Sequence, residues 1–163
     1  MRNLASPNPA FADDRGEPDP LVREALASGD DHIGYLTAVA ALCTSRLLLP
    51  IVASGDDSMN GPDPDRHAEM AAVSVRSAAG ERALLAFTGL DSLQAWQADA
   101  RPVLCTLDDL AATVVETGDQ ALIIDIAGPV PFVIETDLIA QLAQGRRLVA
   151  LPDGGFGWMI AGT

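Results

Sequence analysis

A chain of 163 residues, 48% of them hydrophobic, holds the material of one domain with a single sizeable core, so a two-domain enzyme is not expected. Ten basic residues face 23 acidic ones for a formal charge of -13, which sets the chain against a phosphate backbone or an anionic lipid surface; direct nucleic-acid and membrane binding are not expected. All ten basic residues are arginine, so there is no lysine to form a Schiff base, serve as a general base or cradle a phosphate.

Residues 1–20 carry acids and prolines with little to pack, and are expected to form a mobile tail that cannot repay its ordering entropy. They lack the apolar run of a signal peptide, and the apolar runs 38–42 and 47–53 are too short for a bilayer and are separated by Thr44, Ser45 and Arg46. A cytoplasmic, soluble protein is the expectation. Pro20 then opens a short amphipathic helix through Leu21, Val22, Ala25 and Leu26, closed near Gly29. Residues 33–43 are apolar around most of their circumference and predict a more buried helix, followed by a strand over 47–53.

Residues 54–69 carry Asp56, Asp57, Asp63, Asp65 and Glu69 against Arg66, with two prolines and two glycines, and read as a flexible acidic loop, either a tolerated insertion or a binding segment. Alternation over 71–76, a turn at Gly80 and a return over 83–87 predict a β-hairpin. Thr88 with Asp91, and Thr106 with Asp109, have capping-box spacing and predict two helices, the first packed by Leu90, Leu93 and Trp96, the second by Leu107, Leu110, Ala111 and Val114 and ending at Gly118. An apolar strand over 121–126, a Gly128-Pro129 turn, a return over 132–134, a helix over 136–145 and a hairpin of 148–151 with 156–160 complete the chain. The order is neither a repeat nor strict βαβ alternation; it predicts an α+β fold, a mixed and largely antiparallel sheet with helices packed on it, on one face. The domain plan is thus a 1–20 tail followed by a single 21–163 domain with the loop at 54–69.

Few residues carry a chemical signal. Gly154, Gly155 and Gly157 read as a turn rather than a phosphate loop, since neither a Walker lysine nor a Rossmann fingerprint accompanies them. His32, His67, Cys43 and Cys105 have no metal-ligand spacing, so no metal and no cofactor are expected. Cys43 and Cys105 read as reduced, buried thiols; Cys105, just before a helix start, is the better candidate for a reactive one. The adjacent Asp108 and Asp109 suit a first helical turn without any acid–base role. Asp125, at a strand end before the glycine-proline turn, and Arg101 are candidate ligand residues, and Trp158 a candidate interface anchor. No catalytic residue is assigned.

Two stretches, RALLAFTGLDSLQAWQADARPV over 82–103 and GDQALIIDIAGPVPFVI over 118–134, resemble the N-terminal domain of SseB family proteins. The resemblance extends loosely back toward Tyr35, and the lysine-free composition is similar to single-domain members from GC-rich actinobacteria. Longer members have a second domain, which is not expected here, and the 54–69 stretch is a departure. The family is named for enhanced sensitivity to serine and brings no agreed catalytic residues or cofactor, so the resemblance implies a fold and a regulatory setting.

The expected function is that of a non-enzymatic, protein-binding regulatory domain. A basic partner would suit the charge, Asp56, Asp57, Asp63 and Asp65 would offer it carboxylates, and exposed hairpin edges with Trp158 are compatible with a homodimer. A small acidic chaperone is a specific form of this reading. The alternative is a sensor that binds an amino acid or related metabolite near Asp125 and Arg101; a Cys105-dependent enzyme is a third.

Overall fold

A computed structural model describes residues 11–53 and 70–160. Asp56, Asp57, Asp63, Asp65 and the rest of the 54–69 stretch lie outside the described residues, as does the start of the expected tail.

Helix α1 (Pro20–Ala27) begins where its sequence places it, with Pro20 in the first turn, where the absent N–H costs nothing, and the Asp19 carboxylate accepting the Leu21 N–H. Helix α2 (His32–Cys43) is capped by Asp31 through the Gly34 N–H at 2.6 Å. Strand β1 (Leu47–Ala53) follows, and after the acidic stretch come β2 (Met70–Ala72), β3 (Ser74–Arg76) and β4 (Arg82–Ala86).

Strands β2 and β3 are the two halves of one bent strand. The first half pairs with β1 and the second with β4, both antiparallel, and the Leu85 N–H donates to the Val73 carbonyl at the bend. A bridge in which Leu48 and Phe87 exchange both backbone hydrogen bonds at 2.8 Å ties β1 directly to the end of β4. Strand β6 (Ala121–Ile124) lies parallel to β4, and β7 (Phe132–Glu135) antiparallel to β6, giving a mixed, mostly antiparallel arrangement in an α+β fold.

On the other side of β1 runs β5 (Arg101–Cys105), a strand that the sequence does not suggest because Pro102 interrupts it. Its register explains the tolerance. Leu48 turns its N–H toward Phe87, so alternate residues of β1, Pro50 among them, turn theirs away from β5; Pro50 and Pro102 face each other where neither is asked to donate.

Helices α3 (Leu90–Trp96), α4 (Leu107–Thr117) and α5 (Thr136–Leu142) complete the helical set, and β8 (Arg146–Ala150) pairs with β9 (Phe156–Ile160) as the expected closing hairpin. Helices cover both faces of the sheet rather than one. Leu47, Leu49, Leu84, Ala86, Leu122 and Ile124 point into the main core with α1, α2, α4 and α5. The alternate residues Leu48, Leu85 and Phe87 point the other way, where α3 supplies Leu93, Leu90 and Trp96 and the Phe87 and Trp96 rings lie 5.6 Å apart. Strands β1, β4 and β6 carry apolar residues on both faces, the second set meeting α3.

Over residues 11–19 the expected mobile tail is instead strapped to the domain. The Arg46 guanidinium donates to the Asp14 carboxylate at 2.7 Å and to the Glu17 carbonyl at 2.5 Å, and the Gly16 carbonyl accepts the Leu90 N–H. The segment has little apolar surface to bury, but it answers polar groups that the start of α3 presents.

Candidate functional site

Asp125 ends β6 in the left-handed region (φ 55°), which stops the strand one residue after Ile124, and it has no solvent exposure at all. An aspartate tolerates this conformation better than most side chains. Its Oδ1 accepts the Thr88 N–H at 2.9 Å and its Oδ2 the Thr88 hydroxyl at 2.6 Å. The same hydroxyl accepts from Arg23 Nε at 3.1 Å, and the other two guanidinium nitrogens grip Asp91 at 2.7 and 2.6 Å. The Thr88 carbonyl accepts from Arg46 at 2.9 Å.

Thr88 and Asp91, which have capping-box spacing, therefore serve tertiary contacts. The cap of α3 passes to Gly89, whose N–H meets the Ser92 hydroxyl. No side chain could replace that glycine's hydrogen without crowding, because a Cβ would lie 2.7 Å from the Asp91 carboxylate and 2.8 Å from Pro18. Thr106 is the N-cap of α4 as expected, without a capping bond from its hydroxyl.

The electrostatics follow the contacts. The Arg23 guanidinium holds the Asp91 carboxyl below the usual carboxylate range against the opposing effect of burial, and Asp91 in turn raises the Arg23 pKa, with Asp125 adding a smaller contribution. At Asp14, burial pushes the pKa up, but the hydrogen bonds from Arg46 and the Gly16 N–H and the Arg46 charge together bring it below its ordinary value.

A second buried acid sits at the opposite end of β6. The Asp119 side chain is fully shielded; Oδ2 accepts from Ser74 and Thr117 at 2.5 and 3.0 Å, and Oδ1 faces Arg82 Nε at 3.1 Å in an ion pair too oblique for a hydrogen bond. Both acids tie strand ends together.

The other sequence candidates do not join these clusters. Arg101 is exposed at the end of β5 that pairs with Ile51, whereas Thr88 and Asp125 lie past the opposite end, where Leu47 pairs with Cys105. Four residues of strand, about 13 Å, separate those ends, so Arg101 and Asp125 do not form one clamp. Trp158 faces Leu148 across the closing hairpin and is half-buried against the main core. Cys43 and Cys105 are both buried; burial pushes the Cys43 thiol pKa up, and the Cys105 Sγ lies 3.6 Å from the Leu47 carbonyl. Among the described residues, no three His, Cys, Asp or Glu side chains gather as a metal site.

One feature that opens to solvent lies on the sheet face beside α3. There β3, β4, β6 and β7 leave a groove of about 340 Å³ lined by Val75, Ala83, Ala121, Ile123 and Val133. Registers put these side chains in two rows, Val75, Ala83, Ala121 and Glu135 in one and Leu85, Ile123 and Val133 in the next. Val133 remains 43% exposed. The outer edge of β7 is closed differently: the Tyr35 hydroxyl donates to the Val133 carbonyl at 2.9 Å while its ring stacks on Phe132. Burial foremost pushes the Tyr35 pKa up. Val133 escaped notice in the sequence because its neighbours Phe132 and Ile134 are also apolar, so the run carries no inside-outside alternation.

The model of the SseB protein N-terminal domain matches residues 22–141, from within α1 to within α5. The chain belongs to the SseB family. No curated protein and no solved structure matches it. The SseB span takes in Arg23, Thr88, Asp91, Asp125 and the whole groove, and stops short of the β8–β9 hairpin with Trp158.

Proposed function

We propose that this SseB domain works in the cytoplasm by binding another protein on the open part of its sheet face, and performs no chemistry of its own. The observation that supports the reading is the half-exposed Val133 above an apolar groove, on a sheet face of which α3 covers the rest. The polar network around Asp125, by contrast, is engaged within itself: both Asp125 oxygens are taken by Thr88, and Arg23 is taken by Thr88 and Asp91. A group so engaged has a fold to hold and little freedom to bind a ligand.

The experiment places a photo-crosslinking amino acid at position 133 in one variant and at the still more exposed Val115, on the helical side, in another, each produced in the native host. A discrete adduct from position 133 and none from 115 is the expected result. Equal patterns from both positions would overturn the reading. Thermal unfolding with serine and related amino acids at millimolar concentration separates the sensor alternative: the docking reading expects an unchanged Tm, since a ligand that binds only the folded state must raise it.

A further inference from the structure

We infer that the free edge of β9 pairs with β9 of a second copy, antiparallel about a two-fold axis at Trp158, so that two hairpins join as one four-stranded sheet. The inference is independent of the groove.

Other outer edges of the fold are guarded. Pro102 leaves no N–H on the outer side of β5, where Arg101 is also exposed, and the Tyr35 hydroxyl occupies the Val133 carbonyl on the outer side of β7. The closing hairpin is covered along β8 as well, where the Leu148 N–H meets the Cys43 sulfur at the end of α2. Strand β9 has no such guard among the described residues. Its five residues, Phe156–Ile160, include no proline and no charge, and Met159 and Ile160 are exposed.

The hairpin register fixes which groups that edge offers. Leu151 donates to the Gly155 carbonyl, so in the register that continues from it Gly157 and Met159 turn their N–H and C=O groups toward Val149 and Arg147, while Phe156, Trp158 and Ile160 turn theirs outward. No backbone partner meets those three among the described residues.

An edge can pair with its own copy when it matches itself read backwards, and this one does. With Trp158 on the axis, Phe156 meets Ile160 of the second copy and Ile160 meets its Phe156, so that every outward N–H and C=O finds a partner, about six bonds in all. The side chains agree. An aromatic faces a β-branched residue on either side of a central tryptophan pair, and on the opposite face of the sheet the long, exposed Met159 lies beside the bare Gly157 of the second copy. Charge permits the approach: β9 carries none and its hairpin sets Arg146 and Arg147 against Asp153, so two chains of charge -13 meet there without acids facing acids. A two-stranded ribbon is also the sheet that gains most from added strands.

Sedimentation of the full chain from about 5 to about 500 μM is expected to show a reversible monomer–dimer equilibrium, as suits a small interface, tightened by salt because screening removes repulsion between acidic chains. Ile160→Pro removes one outward N–H from each copy without touching a bond to β8, and should weaken the dimer about tenfold or more at unchanged thermal unfolding. The register is read by mixing two variants, Gly157→Cys and Met159→Cys, under mild oxidation. A Cβ at position 157 meets nothing closer than Leu151 at 3.5 Å, so the hairpin accepts it. Positions 157 and 159 of different copies would face each other about 4.5 Å apart at Cα, within disulfide reach. With the native cysteines buried, a covalent dimer should form at least about tenfold faster in the mixture than in either variant alone.

A chain that stays monomeric at the highest concentration would overturn the proposal, as would a dimer indifferent to Ile160→Pro. Equal crosslinking in the mixture and in the single variants would overturn the two-fold register, and that measurement decides alone if Ile160→Pro lowers the thermal midpoint. A photo-crosslinker at position 160 that captures another protein in the native host, from a chain that is monomeric when pure, would give the edge to a foreign strand, which also overturns it.

Discussion

Asp125 accepts both the backbone N–H and the hydroxyl of Thr88, at 2.9 and 2.6 Å, across 37 residues of sequence and with no access to solvent. The pair ties the end of β6 to the residue where the chain leaves β4 for α3. Through the Thr88 hydroxyl and carbonyl it also receives Arg23 from α1 and Arg46 from the turn before β1. Four segments meet on one threonine.

Removing the carboxylate should therefore be costly. Asp125→Ala strands the buried Thr88 N–H and places a β-carbon without compensation at φ 55°, and is expected to destabilise the domain by about 3 kcal/mol. Asp125→Gly loses the same hydrogen bonds but is at ease with that backbone, and should be less damaging by about 1 kcal/mol. Urea unfolding of the two variants measures the difference, and equal losses would deny the backbone any part.

Arg23→Lys should fail to rescue Arg23→Ala. A lysine supplies one ammonium where three separate guanidinium nitrogens reach Thr88 and both Asp91 oxygens. The expected loss is about 1–2 kcal/mol for either variant, moderated because Asp91 is more than half exposed. Wild-type stability in Arg23→Lys would show that charge alone matters here.

Acid should loosen the α3 end first. Asp14 and Asp91 both have carboxyl pKa values below their ordinary ones, so each contributes stability that is complete above the unfolded-state pKa and is lost as pH falls through the folded one. Stability should hold from neutrality to about pH 4 and decline below it. Asp14→Asn and Asp91→Asn should each make that decline shallower; unfolding midpoints across the acid range give the readout, and an unchanged slope in both variants would refute it.

Tyr35→Phe keeps the stacking on Phe132 and removes the hydroxyl that closes the β7 edge. A loss of about 1 kcal/mol is expected. With the Val133 carbonyl open, strand-edge association should follow at high concentration. Sedimentation of the variant against wild type tests it, and identical profiles would mean the edge is protected by something else.

Cys43 and Cys105 should resist a thiol reagent until the protein unfolds, Cys43 for the added reason that burial raises its pKa. Labelling at the rate of global unfolding is expected. Rapid native-state modification of Cys105 would revive a nucleophilic role for it.

Much of the fold was legible in the residues. Pro20 with Asp19, and Gly118 at the end of α4, mark helix ends through caps that act within a turn of the chain, and the hairpins follow from alternation and glycine turns, both short-range. Strand β5 was not legible, because a proline is acceptable in a strand only in a register that asks nothing of its nitrogen, and that register is set by β1, some fifty residues earlier. The misread box at Thr88 and Asp91 has the same origin: their partner Arg23 lies 65 and 68 positions away.

Of the candidate residues, Asp125 proved central to the polar network, Arg101 and Trp158 lie apart from it, and the four loop aspartates fall outside the described residues. Val133 carried no signal. Composition and local periodicity sufficed for an α+β fold, because those properties act between near neighbours in the chain. Which acid is sealed and which valine is left open was decided only when helices settled over one face of the sheet and over part of the other, since burial is a property of what covers a residue and not of the residue itself.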